Sequence, residues 1–234
     1  MVYTVSRIAQ AATRRASRQR SVALALLVLF STTSCGVVGK TSVKSVQMAL
    51  QGKPNVEPTA TEVAANRFPQ IKVTGPAGSA VLVLGNIDSG RQAWYSSERS
   101  IVFLRDGIVV GTHGSSPELE DMTLEGNSPF HALHRIADGT TVQRRYDVMP
   151  DYRYGVSVTG TLTTLGKEKV HILESERELL HVRERLQGGG WKRDNHYWVD
   201  PANGFIWKSI QAIAPDTSLE VVQLKPYSQD LQNR

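Results

Sequence analysis

The sequence predicts an all-β protein: an antiparallel barrel or barrel-like sheet with a short N-terminal helix. From residue 71 onward, short runs rich in β-branched and aromatic residues are separated by turn residues. In the run 154–163, Val156, Val158 and Leu162 alternate with serine and threonine, which is the period of a strand with one face buried. Many short strands with turns about every 8–12 residues are typical of a barrel or a sandwich.

The N-terminus has the pattern of an export signal. Five arginines and no acidic residue precede an apolar run at residues 22–30, and small residues then lead to Cys35, the single cysteine of the chain. A cysteine in this position resembles the lipid-attachment site of a bacterial lipoprotein, with Ser34 fitting the pattern and Thr32 departing from it. The sequence therefore predicts lipidation of Cys35 and removal of residues 1–34.

An uncleaved signal anchor from Ser21 to about Val38 is the alternative interpretation. Its apolar core of nine residues is short of the ~20 that a membrane-spanning helix needs. Gly36 stands where inner-membrane lipoproteins typically carry aspartate, which favours the outer membrane. With a single cysteine, no disulfide can form within the chain.

Removal of the signal changes the charge of the protein. The chain carries 27 basic and 22 acidic residues, and the five arginines of the signal account for the whole excess. Residues 35–234 are therefore close to neutral, and the composition predicts no nucleic-acid partner.

The mature chain is predicted to contain one folded domain. Residues 35–60 are expected to form the lipid anchor and a tether, with a short helix possible at Thr41–Leu50. A second helix is predicted at Thr61–Arg67, with Thr59 or Thr61 as its cap. The β-barrel-like domain spans 61–227, and 228–234 form a C-terminal tail.

The strands are predicted in order along the chain. The first group is Val81–Leu84, Gln92–Tyr95, Ser100–Leu104 and Ile108–Val110, the last two joined by an Asp-Gly hairpin turn. Residues 113–139 are expected to loop over the sheet. Strands resume at Thr141–Tyr146 and Tyr154–Thr163, and the pattern of Lys169–Leu186 fits a helix or a strand, with strand favoured by its context.

A hairpin near the C-terminus is the clearest unit. Trp191–Asp200 and Phe205–Ala214 flank the turn Pro201–Gly204, and a last strand spans Leu219–Lys225. If Asp200 pairs with Phe205, then Trp198 lies opposite Trp207.

Several blocks of this sequence resemble one protein family. The most specific is Tyr197–Pro201 with Trp207–Ser209 downstream. It is accompanied by Asn195–His196, Gly204, Gln211, Trp94–Ser97, Asp106–Gly114 and Leu224–Pro226. In this order and at these spacings they resemble the YjbF/GfcB lipoproteins of exopolysaccharide and group 4 capsule production, over roughly residues 60–227. The resemblance implies a periplasmic barrel-like protein that is held at the outer membrane and acts in polysaccharide secretion or assembly. It implies export-machinery proteins or the polysaccharide as partners, and it brings no catalytic residues.

The residues themselves predict no catalytic or metal site and no cofactor. His131 and His134, with Asp138 nearby, are more typical of solvated side chains than of metal ligands. Ser157 lacks the glycine that would complete a nucleophile elbow and is expected within a strand.

One aromatic group is a candidate contact surface. Trp191, Tyr197, Trp198 and Trp207 lie on one hairpin beside charged and amide side chains, and indole faces can stack on sugar rings. We therefore expect a contact to glycan or to a secretion partner; the alternative places most of these rings in the barrel core.

Three classes of function remain open from the sequence. They are a non-enzymatic accessory lipoprotein for polysaccharide export, a lipid- or lipoprotein-carrying half-barrel, and a glycan-modifying enzyme. The sequence does not select an oligomeric state.

Overall fold

Twelve antiparallel strands form one sheet that curves into a nearly closed barrel. The structure is a computed structural model that describes residues 55–232. Two short α-helices flank the sheet, and a 3₁₀ helix lies between the sixth and seventh strands. The barrel predicted from the strand pattern is thus confirmed. Cys35 and the helix predicted at Thr41–Leu50 lie outside the described residues.

The elements follow one another in chain order. They are α1 (Ala60–Ala65), β1 (Gln70–Gly75), β2 (Gly78–Asp88), β3 (Arg91–Tyr95), β4 (Ile101–Arg105), β5 (Ile108–His113), β6 (Glu118–Glu125), the 3₁₀ helix (Phe130–Arg135), β7 (Thr141–Met149), β8 (Arg153–Ile172), β9 (Ser175–Gly188), β10 (Trp191–Val199), β11 (Ile206–Ala214), β12 (Thr217–Lys225) and α2 (Ser228–Gln232).

The strand order is that of a meander joined at its ends. Each strand pairs with the next strand in the chain, except that β5 does not pair with β6. In addition β1 pairs with β12, for example Val73 with Val221. The sheet therefore has its two edges at β5 and β6. These edge strands lie side by side, and Leu119 N–H donates a hydrogen bond to Thr112 Oγ1 across them at 2.9 Å.

A glutamine from the opposite wall satisfies part of the β5 edge. Gln211 on β11 accepts a hydrogen bond from Val109 N–H at 2.9 Å and donates one to the Gly107 carbonyl at 3.3 Å. Its amide also donates to Ser209 Oγ at 2.9 Å, and its side chain is buried. The side chain thus bonds to backbone groups at the start of β5 much as a neighbouring strand would, so the buried Val109 amide is not left without a partner.

The predicted N-terminal helix is present, and Thr59 is its cap. Thr59 Oγ1 accepts from Glu62 N–H, and the Glu62 carboxylate accepts in return from Thr59 N–H at 2.8 Å, which is a capping box. Val63 is the buried residue of this helix, and its carbonyl accepts a hydrogen bond from the Gln70 side chain. The short helix is thereby fixed to the start of β1.

A single large apolar core fills the barrel. Every second residue of a strand points inward, as Val142, Tyr146 and Val148 do on β7. The 3₁₀ helix adds Phe130 and Leu133, both fully buried, to the same core.

Two segments differ from the sequence-based prediction. The stretch 113–139, expected to be loop, contains strand β6, whose Leu119 and Met122 are buried. Acidic and polar residues dominate β6, so its apolar alternation is too sparse to be seen in the sequence. The stretch Lys169–Leu186 is not one element but the end of β8, a turn at residues 173–174 and most of β9.

The indole pairing predicted for the hairpin near the C-terminus is wrong. Asp200 does bond to Phe205 and Val199 lies opposite Ile206, as expected, but Trp198 lies opposite Lys208. A bulge between the pairs Trp198–Lys208 and Val199–Ile206 leaves Trp207 as an extra residue on β11 and shifts the register by one. The last seven residues, expected to be a tail, include α2, where Asp230 accepts a hydrogen bond from Gln92.

We expect Gln211→Met to destabilise the barrel by about 1–3 kcal/mol, because it leaves the buried Val109 amide without a hydrogen-bond partner. Denaturant unfolding gives the free energy, and faster hydrogen exchange at Val109 locates the effect. Gln223→Met is the control, since Gln223 is also buried but its side chain forms no hydrogen bond within residues 55–232. Equal losses in the two variants would contradict this role of Gln211.

Candidate functional site

Two of the four aromatic residues predicted as a contact surface point into the barrel. Trp191 is 3% exposed and stacks on Tyr146 with ring centroids 4.2 Å apart. Tyr197 is fully buried and packs against Phe130 at 5.4 Å. Neither side chain reaches the surface, because both occupy inward positions of β10.

A network of polar groups surrounds Tyr197 inside the barrel. The guanidinium of Arg144 donates to both carboxylate oxygens of Glu184, with Nε–Oε1 and Nη2–Oε2 distances of 2.7 and 2.8 Å. Tyr197 and Asn195 also donate to Glu184 Oε2, at 2.8 and 2.9 Å. Arg144 and Glu184 are 1% and 0% exposed, so this is a buried ion pair whose acceptors are well supplied.

The neighbouring groups adapt to this ion pair. Gly160 lies beside Glu184, and a Cβ at position 160 would come within 2.1 Å of the carboxylate. Phe130 offers its ring face to the Arg144 guanidinium at 4.8 Å. The ion pair thus restricts the residue types possible around it.

Burial and charge shift the pKa values of the network. Burial by itself lowers the pKa of Arg144, but the attraction of Glu184 and two tyrosines raises it well above its usual value. Burial raises the pKa of Tyr146 to about 12, and burial followed by the Glu184 charge raises the pKa of Tyr197. All three groups therefore keep their ordinary protonation states at neutral pH.

The other two predicted residues lie on the outside of the barrel. Trp198 and Trp207 are each 8% exposed and belong to a second apolar cluster. The cluster also contains Phe205 and three residues from the outer part of the β8–β9 hairpin, namely Val170, Ile172 and Leu179. Arg177 lies over the Trp207 ring at 3.7 Å. All four predicted rings are therefore buried, and their contact with glycan or a partner stays a prediction.

A pair of histidines, His181 on β9 and His196 on β10, lies beside Trp198 of this outer cluster. His181 Nε2 and His196 Nδ1 are 2.9 Å apart, and His181 Nδ1 lies 3.0 Å from Glu168 Oε2. Trp198 Nε1 donates to the same carboxylate oxygen at 2.8 Å, and its ring stacks on His181 with centroids 4.5 Å apart. We call these four residues the histidine–tryptophan cluster.

Both histidines favour the neutral form. Burial lowers the pKa of His181 first, repulsion from His196 lowers it further, and Glu168 acts in the opposite direction. Burial and the Arg183 charge lower the pKa of His196, against the attraction of Asp194 and Glu168. One shared proton is enough for the 2.9 Å contact between two neutral rings.

The other sequence candidates have ordinary positions. His131 and His134 lie on the 3₁₀ helix, and within residues 55–232 no group of three metal-ligating side chains is assembled. Ser157 is an exposed residue of β8, as expected for a sheet position.

Sequence reasoning missed Arg144 and Glu184. A signal for them exists: on β7, Arg144 stands between the apolar inward positions Val142 and Tyr146, and a charge in an inward row calls for an inward partner. The partner can be found only when the pairing of β7, β8 and β9 is known. The sequence pattern indicates one element where the end of β8 and most of β9 lie, so it does not bring Glu184 to Arg144.

Comparison with known proteins agrees with this fold. The model of the family described as group 4 capsule polysaccharide lipoprotein GfcB, YjbF matches residues 43–224. The chain belongs to this family. The family resemblance stated from the sequence blocks is thus confirmed.

Two individual proteins are similar to this chain, one in sequence and one in fold. The uncharacterized lipoprotein GfcB of Escherichia coli strain K12 is 24% identical over 154 residues, which cover 62% of this chain and 70% of the relative. The crystal structure of the hypothetical lipoprotein YmcC from Escherichia coli K12 is similar with a TM-score of 0.66 at 19% identity, covering 83% of this chain and 98% of that one. The second comparison concerns the fold alone.

In residues 55–232, no helix has the length and apolar character needed to cross a bilayer.

Removing one partner of the buried ion pair is expected to cost more than removing both. Glu184→Gln should destabilise the fold by about 3–5 kcal/mol, because it leaves the Arg144 charge buried without a counter-charge. Arg144→Met combined with Glu184→Leu should recover at least half of that loss. Urea unfolding of Arg144→Met, Glu184→Leu and the double variant measures the coupling. The exposed pair Arg145–Glu125 is the control, where the same cycle should give a much smaller coupling, because solvent screens both charges.

Acid should weaken the histidine–tryptophan cluster. Because both histidine pKa values are lower in the folded chain, the unfolded chain binds more protons below pH 6.5, and the free energy of unfolding falls as the pH drops from there towards the folded pKa values. NMR titration of the imidazoles and unfolding at pH 7 and pH 5 measure this. His181→Gln should reduce the pH dependence, whereas His171→Gln, at an exposed position of the hairpin, should not. Imidazole pKa values above 6.5 at both positions would contradict the expectation.

Proposed function

We propose that this protein is a non-enzymatic accessory lipoprotein in exopolysaccharide or capsule secretion or assembly. It is anchored by lipid in the outer membrane and faces the periplasm. Membership of the group 4 capsule lipoprotein family over residues 43–224 is the observation that carries the proposal.

The sequence before the barrel supports the anchor. Cys35 follows a basic and apolar export signal, and the first described residue, Asn55, comes 20 positions later. One acyl chain holds a protein only marginally at a bilayer, with an association constant of roughly 10⁴ M⁻¹, whereas the several chains of a mature lipoprotein hold it stably. The barrel would therefore act close to a membrane.

A non-enzymatic role is supported by the placement of the polar groups. The charged groups with the most strongly perturbed environment, Arg144 and Glu184, are closed off from solvent and bound to each other. On the outside, His181 shares Glu168 with Trp198, and this cluster contains no serine, threonine or cysteine nucleophile. The buried ion pair therefore offers no reacting group to a substrate.

The packed interior of the barrel does not favour the alternative function, that of a lipid-carrying half-barrel. In the described part of the chain, the barrel is filled by a contiguous core in which Trp191, Tyr146, Phe130 and Tyr197 pack against one another. An acyl chain entering the barrel would have to displace these rings and the ion pair beside them. The accessory role in polysaccharide export is thus the better-supported function, with export-machinery proteins or the polymer itself as partners.

The proposal predicts that both the protein and its anchor are needed for polymer at the cell surface. Deletion should lower surface exopolysaccharide, the wild-type chain should restore it, and Cys35→Ser should fail to restore it although the barrel is made and folded. Polymer is measured on washed cells, and membrane fractionation with radiolabelled palmitate shows whether Cys35 carries lipid. Unchanged polymer in the deletion strain, under conditions where the polymer is made, would overturn the proposal.

A further inference from the structure

One part of the outer wall carries basic side chains in regular rows. The outward positions of β8, β9 and β10 line up across the sheet, because the side chains of paired residues lie on the same face. The rows are Thr163–Arg183–His196, Thr161–Arg185–Asp194 and Thr159–Gln187–Lys192. We call these nine residues the basic–threonine face.

The cations of this face have no strong internal partner. Within residues 55–232, Arg183 and Lys192 form no side-chain hydrogen bond or ion pair, and Arg183 Nε is buried without an acceptor. Arg185 Nε lies 3.7 Å from Asp194 Oδ1, which is longer than a hydrogen bond. In contrast, Arg145 pairs with Glu125 at 2.6 Å and Lys169 pairs with Glu176 at 2.8 Å. The face therefore keeps an excess of positive charge and unused donors.

One end of the face is open to solvent. Arg185, Gln187 and Lys192 are exposed. Together with Arg193 and Asp194 they line a depression of about 320 Å³. A ligand can thus reach the guanidinium and ammonium groups directly.

The side chains of the face indicate which class of ligand fits. None of the nine is aliphatic or aromatic apart from the imidazole of His196, so the face lacks the large apolar anchors of a protein interface and the apolar groups that enter a bilayer. Guanidinium groups bind carboxylate and phosphate oxygens with two parallel hydrogen bonds, and threonine hydroxyls and glutamine amides can bond to sugar hydroxyls.

We propose that the basic–threonine face binds an acidic polysaccharide, one that carries carboxylate or phosphate groups along a hydrated chain. This deepens the proposed function and rests on it, since it makes the polymer itself a ligand of the lipoprotein. Arg183 and Arg185 would bind the anionic groups, Lys192 would add charge at the open end, and the threonines of β8 would contact the sugar hydroxyls. The binding weakens as salt screens the charges.

The test measures binding of the full-length lipidated protein, in detergent micelles, to polygalacturonate and to neutral dextran. Wild type should bind polygalacturonate but not dextran, and Arg183→Gln/Arg185→Gln/Lys192→Gln should weaken the binding by at least about tenfold. The control Arg105→Gln/Lys167→Gln/Lys169→Gln removes the same charge from other exposed positions and should change the affinity by less than about twofold. Circular dichroism and thermal unfolding confirm that both variants are folded.

Three results would overturn the inference. They are equal binding of dextran and polygalacturonate, equal losses in the two triple variants, and no binding of polygalacturonate by the wild type. Capture of phosphatidylglycerol vesicles without polygalacturonate binding would assign the face to a membrane surface. A wild-type chain that restores surface polymer in the deletion strain but does not bind polygalacturonate overturns the glycan ligand and leaves the proposed function standing.

Discussion

The pairing of β1 with β12 is the constraint on which the rest of the barrel is built. Without it, the strands β1–β5 and β6–β12 would be two separate sheets with four edges. With it, only β5 and β6 remain as edges, and they face each other. An unpaired strand edge invites association with other chains. Here the Gln211 amide and the Thr112 hydroxyl accept hydrogen bonds from backbone N–H groups of the two edge strands.

The buried ion pair imposes a second constraint from inside. Replacing a buried ion pair by apolar residues is often neutral or stabilising, so Arg144 and Glu184 need not add to the stability of the barrel. What they do is fix neighbours: Gly160 leaves room for the carboxylate, and Asn195 and Tyr197 supply donors. Asn195 also accepts a hydrogen bond from Ala212 N–H on β11. One polar centre therefore sets the register among β7, β9, β10 and β11 more sharply than apolar packing would.

The fold class, the N-terminal helix and most of the strands follow from the sequence, because apolar alternation and turn residues are local signals. The strand β6 does not, since its alternation is diluted by acidic residues. The pairing of Trp198 with Lys208 does not follow from the sequence either, because no sequence pattern indicates the bulge that adds one residue to β11. The candidate surfaces depend on pairing between strands: the aromatic residues of β10 divide between inside and outside, and the basic–threonine face exists only once β8, β9 and β10 are aligned.

The pairing of the first and last strands also determines how this barrel can form. About 150 residues separate Val73 from Val221, and contacts between such distant positions cost the most chain entropy and form slowly. During folding, β1 and β11 both offer open edges until β12 arrives between them. A chain that loses its last twenty residues can form most of its hairpins and still not close, and its exposed edges make it prone to aggregate. Pairing of the C-terminal strand is thus the step that removes the open edges of β1 and β11.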